Sequence, residues 1–196
     1  MKDIILDILD AGIELKRHCI QTNIDNIIKA AAMLAACIES GNKVIFFGNG
    51  GSAADAQHLA AELVNRFQIE RPPLAAIALT TDTSVLTSIG NDYHFDEIFS
   101  KQIHALGKKG DIAWGISTSG NSPNVLKAVI AAQQVGLTTI ALTGRSGKLS
   151  DCADLVLSVE SDITARVQEA HMMLGHIVCD LLERQLYPEE FNNNGI

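Results

Sequence analysis

Ser117-Thr118-Ser119-Gly120-Asn121-Ser122-Pro123 lies between an apolar run, 112–116, and a helical pattern that begins at Asn124. Hydroxyls and backbone N–H groups crowded into a strand-to-helix turn make an anion site. The helix N-terminus already carries unsatisfied donors and the positive end of its dipole. Pro123 suits the first helical position and Ser122 the N-cap. The loop has no lysine, so it is not a GxxxxGK[ST] phosphate loop. A second loop, Gly48-Asn49-Gly50-Gly51-Ser52, follows the apolar run at 43–47 in the same way. Alone it reads as a tight turn; two such loops at one sheet edge outweigh either. The competing reading of 117–123 is a Ser-rich turn that only caps its helix.

Behind the first loop, His58 and Glu62 are four positions apart, which puts both side chains on one helical face. An imidazole and a carboxylate so placed suit a divalent metal such as zinc, or an acid/base pair. An ordinary solvent-facing i,i+4 pair has the same spacing. Near the chain's end, Gln168 and His176 stand eight positions apart, with Glu169 and His171 between them. His176 is set among Met172, Met173, Leu174, Ile177 and Val178, surroundings that favour a neutral imidazole, either a ligand, a poised base or a core histidine. His171 reads as a buried or capping histidine, and Asp180 and Glu183 as solvated positions. Eight helical residues rise about 12 Å, whereas a metal holds its ligands at about 2 Å. Gln168 and His176 could therefore share an ion most simply if one came from a neighbouring subunit.

The elements that must position these groups follow a regular order. Two helices open the chain, one around Ile4 to Leu15 and an Ala-rich one over 24–38, whose small residues suit close helix contact. Short apolar strands at 43–47, 75–79, 111–116, 138–142 and 154–159 then alternate with helices at 53–67, 96–106, 122–135 and 164–186. A polar segment runs through Asn91 and Asp92, a Gly- and Ser-rich turn follows Thr143, and the tail 189–196 reads as frayed. Nearly continuous apolar strands alternating with helices predict an α/β fold, a five-stranded parallel sheet covered on both faces. Ligands of such sheets bind beyond the carboxyl ends of the strands, where both loops lie.

At 196 residues the chain fits a single domain, and 47% apolar residues argue against disorder. A net charge of −8 without a basic stripe argues against nucleic acid. An acidic chain that binds an anion must use local dipoles and hydroxyls, which makes a sugar phosphate the natural guest of the 117–122 loop. The four cysteines, Cys19, Cys37, Cys152 and Cys179, show no CxxC pairing and read as reduced thiols. The opening residues form no secretory leader and no apolar run reaches membrane-spanning length, so a soluble cytoplasmic location is expected.

With these residues in view, the chain resembles the bacterial phosphoheptose isomerases, single-domain members of the sugar isomerase (SIS) family, over roughly 24–186. The most specific stretches are Gly48 to Glu62, Gly90-Asn91-Asp92, Ile116 to Ser122, and Ala165 to His176. The resemblance implies one SIS domain over 1–196, with a helical extension, 1–40, packing in a homotetramer that has intersubunit active sites. It implies isomerisation of sedoheptulose 7-phosphate to D-glycero-D-manno-heptose 7-phosphate through an enediol, the first step toward activated heptose for glycans such as lipopolysaccharide.

Carried over by motif, Ser117, Thr118, Ser119 and Ser122 hold the phosphate. Asn49, Gly50, Gly51, Ser52, Asn91, Asp92 and Gln168 line the sugar site. His58, Glu62, Gln168 and His176 hold one Zn2+ per subunit, and Glu62 and His176 do the acid/base work. Ala165 departs from the pattern, since some isomerases carry an aspartate there. A related paralogue that binds the bacterial replication initiator, or a non-catalytic phosphosugar sensor, is the alternative. It resembles this chain at Asn65-Arg66-Phe67 and Leu186-Tyr187-Pro188 but lacks the carboxylate and the final histidine present here.

Overall fold

The computed structural model describes residues 1–194. Strands β1 (Val44–Gly48), β2 (Ala76–Ala78), β3 (Ile112–Ser117), β4 (Thr138–Thr143) and β5 (Leu155–Ser158) form one parallel sheet in the order β2-β1-β3-β4-β5. The five-stranded sheet expected from the alternating pattern is therefore present. Between them run α2 (Gly51–Val64), α3 (Thr83–Asp92), α4 (Ser100–Leu106), α5 (Pro123–Val135) and α6 (Lys148–Cys152). Helix α1 (Lys2–Glu39) precedes the sheet, and α7 (Thr164–Leu186) and α8 (Pro188–Asn194) close the chain.

Successive strand residues face opposite ways, and the cores divide accordingly. Val44, Phe46, Ile112, Trp114, Ile140 and Leu142 pack with α1, α2 and α7. Ile45, Phe47, Ala113 and Ala141 pack with α3, α4 and α5 on the other face. The chain leaves β1 for β2 on one side and returns to β3 on the other. The switch point of the sheet thus lies between β1 and β3, whose ends Gly48 and Ile116 are paired neighbours. Both candidate loops start there.

Four expectations are corrected. Two opening helices are expected on either side of 16–23, but α1 is one helix of 38 residues. That stretch contains neither Gly nor Pro, and its Asn23 turns inward to exchange hydrogen bonds with the Ser158 backbone at 2.9 and 3.0 Å. The polar segment before Asp92 is helix α3, started by Asp82 accepting from the Val85 N–H. The helix expected over 96–106 is a 3-10 turn, Phe95–Glu97, followed by the shorter α4. The expected frayed tail is helical through Asn194, with Phe191 buried against the Arg184 guanidinium; residues 195–196 lie outside the described residues. All four cysteines are free thiols. No described helix is long and apolar enough to cross a membrane.

Candidate functional site: a His/Glu cluster and a hydroxyl loop

Helices α2 and α7 lie side by side and run parallel, and their contact assembles the cluster. Gly51 meets Gln168 at one end and Leu59 meets Gly175 in the middle. A Cβ on Gly175 would stand 2.6 Å from Leu59 Cδ2, so any larger residue requires Leu59 or the helix to shift. The next residue on α7, His176, thereby reaches the α2 face that carries His58 and Glu62. His176 Nε2 lies 3.0 Å from His58 Nε2, which lies 2.8 Å from Glu62 Oε1. Ligand atoms of all three side chains fall within 4.8 Å of one another.

A ring nitrogen has one in-plane direction, through which it gives or takes one bond. His58 Nε2 has both an imidazole nitrogen and a carboxylate oxygen at bonding distance. Two nitrogens and an oxygen converging in this way are the donor set of a divalent ion such as zinc, whose bonds to them run about 2.0–2.2 Å. The residues therefore fit a metal. Desolvation, followed by the neighbouring His58, holds the His176 pKa below its ordinary value, while Glu62 opposes that shift. A neutral imidazole, the form a metal binds, is thereby favoured.

Three hydroxyls of the loop face one another, and Ser119 is exposed. Ser122 is the N-cap of α5 and Pro123 opens the helix, as expected, but Ser122 makes no capping bond with its side chain. Its hydroxyl lies 3.0 Å from Ser117 Oγ, which is 3.5 Å from Ser119 Oγ. Thr118 and Ser119 line a cavity of about 250 Å³ with Arg145, Ser161 and Thr164. Arg145 supplies a cation at this edge and pairs with Asp162 at 3.3 Å. The two loops are tied together by Asn49 and Asn124, whose side-chain amides exchange two bonds of 2.8 Å.

The other expected residues are distributed as follows. Asn49 and Gly50 line a smaller cavity of about 150 Å³ with Leu86 and Phe95. Ser52 is buried. Asn91 and Asp92 are exposed at the end of α3 and bonded to each other. Gln168 presses on Gly51, where an added Cβ would overlap its Nε2. That is the far end of α2 from His58, about 10 Å along the helix, so Gln168 stands apart from its own chain's cluster.

His171 is fully buried, with Nε2 3.1 Å from the Thr143 carbonyl, and burial pulls its pKa down to about 4. Glu183, expected to be solvated, is 1% exposed and paired with Arg71; Asp180 is half-buried and paired with Arg184. Asn124, Arg145 and Arg71 were not legible as site residues. Asn124 and Arg145 follow strand ends, which is the one positional signal they carry. Arg71 has no sequence signal, since its partner lies 112 positions away.

Fold and site together define a SIS domain, and a model of that domain matches residues 9–144. A phosphoheptose isomerase of Nitratidesulfovibrio vulgaris is 52% identical over 185 residues, covering 94% of this chain and 89% of its own length. The solved phosphoheptose isomerase of Neisseria gonorrhoeae superposes with a TM-score of 0.88 at 45% identity, covering 93% of this chain and 98% of that one. That of Francisella tularensis gives 0.89 at 41% identity, covering 93% and 97%. The chain belongs to the phosphoheptose isomerases of the SIS-domain family.

Proposed function

We propose that this chain converts sedoheptulose 7-phosphate into D-glycero-D-manno-heptose 7-phosphate, at a zinc site completed between subunits. The observation that carries the reading is the convergence of His58, Glu62 and His176 in one protomer, in a chain half identical to a phosphoheptose isomerase along nearly its whole length.

The reaction moves a carbonyl from C2 to C1. A proton leaves C1, the C1–C2 enediol forms, and a proton is returned to C2 while the oxygens exchange theirs. Glu62 carries the proton between the carbons on the carboxylate oxygen that the ion leaves free, and His176 serves the oxygens while its Nε2 is off the ion. His58, Glu62 and His176 would hold the ion, with Gln168 of a neighbouring copy as the fourth donor. When bound, zinc polarises the substrate carbonyl and stabilises negative charge on its oxygens. Ser117, Thr118, Ser119 and Ser122 hold the phosphate and so place the reacting end. Asn49, Gly50, Gly51, Ser52, Asn91, Asp92 and Gln168 line the path of the sugar.

Two features support an intersubunit site. Gln168 and the hydroxyl loop sit at the sheet edge, whereas His58 and Glu62 lie two to three turns down α2 from it. The first turns of α1 expose Ile4, Ile5, Leu6, Ile8 and Leu9, a run that packing in a homotetramer would cover. A place in activated-heptose synthesis, in the cytoplasm, fits the reaction and the chain's net charge of −8. Glu62 and His176, the groups a non-catalytic reading has no use for, meet in the cluster, so that alternative is not favoured.

The test is to incubate zinc-loaded protein with sedoheptulose 7-phosphate, and separately with fructose 6-phosphate, and to measure aldose formation by NMR. Aldose from the heptulose in preference to the hexulose is expected. No aldose from either would refute the assignment.

A further inference from the structure

We infer that the buried Arg71–Glu183 pair is the positioning device that holds the two helices of the cluster in register, a role that rests on the metal reading above. Both side chains are 1% exposed, and Arg71 Nε donates to Glu183 Oε1 at 2.8 Å. The rest of the guanidinium grips the C-terminal end of α2. Nη2 donates to the Glu62 carbonyl at 2.7 Å, and Nη1 to the Leu63 carbonyl at 2.9 Å and the Pro72 carbonyl at 3.1 Å. Helix ends leave such carbonyls short of partners; here the guanidinium serves the Glu62 carbonyl and joins the Leu74 N–H, at 3.0 Å, on that of Leu63. One of them belongs to Glu62 itself.

Glu183 holds the other side. It lies two turns beyond His176 on the same face of α7. Its carboxylate accepts from the backbone N–H groups of Phe67, Gln68 and Ile69 at 3.0, 2.9 and 3.3 Å. Those bonds fix the segment that leaves α2, and the Phe67 ring packs on the His176 imidazole with centroids 5.3 Å apart. One ion pair therefore reaches Glu62 through its backbone and His176 through Phe67. Gly175 lets the helices touch, and Arg71 with Glu183 sets how far each has advanced along the other. A lysine at 71 keeps the charge but has no planar fork to serve several carbonyls at once.

The test uses full-length Arg71→Lys and Glu183→Gln, stripped of metal and checked for folding by circular dichroism. Zinc affinity is then measured by chelator competition, and kcat and KM for sedoheptulose 7-phosphate are measured on the zinc-loaded proteins. Removing groups that orient metal ligands costs about 10–100-fold in affinity or activity. Each folded variant is expected to bind zinc at least tenfold more weakly and to lose kcat. KM should stay within about threefold, because neither residue touches the hydroxyl loop. If Arg71→Lys does not fold, Glu183→Gln, which keeps an acceptor oxygen and the side chain's shape, carries the test. Zinc affinity within twofold of wild type in a folded variant, or a raised KM at unchanged kcat, would overturn the inference. A wild-type chain that binds no zinc would overturn the metal reading itself, and the two failures differ in which protein lacks the ion.

Discussion

Replacing Gly175 with alanine adds one methyl group at the closest approach of α2 and α7. The new Cβ would lie 2.6 Å from Leu59 Cδ2 and 3.1 Å from Cδ1. Carbon atoms in contact sit about 3.5–4.0 Å apart, so the helices must separate by roughly 1 Å unless Leu59 moves. Leu59 is 1% exposed and belongs to the core beneath α2, so its shift would disturb its packed neighbours. Overpacking of this kind costs about 1–3 kcal/mol, which lowers the Tm of a chain this size by about 5 °C.

The larger effect of Gly175→Ala falls on the cluster, because His176 is carried on the displaced helix. A misplacement of about 1 Å costs on the order of 100-fold in rate. The expected result is a folded protein with kcat for sedoheptulose 7-phosphate down about 100-fold, KM nearly unchanged, and zinc held more weakly in chelator competition. A Gly175→Ala protein that binds zinc and turns over within twofold of wild type would show that the contact does not set the cluster's spacing.

Other outcomes follow from the same geometry. Ser122→Ala removes a hydroxyl that does not cap its helix. It should raise KM about tenfold or more, the worth of one bond to a charged group, with Tm unchanged; a fall in Tm without a change in KM would reverse the assignment. His171 is neutral when folded, with a pKa pulled down to about 4 from 6.5. The unfolded chain therefore binds the extra proton below pH 6.5, and stability present above that pH is lost as the pH falls toward 4. At 1.36 kcal/mol per pH unit the loss reaches about 3 kcal/mol. Urea titrations at pH 7 and 5 should show a smaller difference for His171→Gln than for wild type; equal differences would remove His171 from the account. Ile5→Asp with Leu9→Asp should lower the particle mass that light scattering gives for the wild type, whereas an unchanged mass would show that α1's exposed run is not an interface.

Strands β1, β3 and β4 were legible because both faces are buried, so their residues run apolar without interruption between turn residues. Helix α7 was legible to the residue, since its pattern starts at Thr164 after a polar loop and stops before Pro188. Helix α3 was hidden because only Val85, Leu86 and Ile89 are large apolar residues in it, and Thr, Ser, Gly, Asn and Asp fill the rest. The continuity of α1 was hidden too, since a polar run between two apolar patterns looks like a break when Asn23's partner on β5 is out of sight.

The site divides along the same line. The i,i+4 spacing of His58 and Glu62 is local and readable. Their meeting with His176 depends on Gly175 against Leu59, a contact between positions 116 residues apart in the chain that no local pattern reports. Glu183 was misread because its charge suggests solvent, and only the fold brings Arg71 to it.

The central claim, that one ion is held where these two helices meet, is tested most directly by crystals of the protein grown with zinc. Anomalous difference maps at the zinc edge should show one peak per chain, bonded to His58 Nε2, the Glu62 carboxylate and His176 Nε2, with a neighbouring copy's glutamine beside it. Fully loaded crystals with no peak among those three side chains, or with the zinc elsewhere, would contradict it.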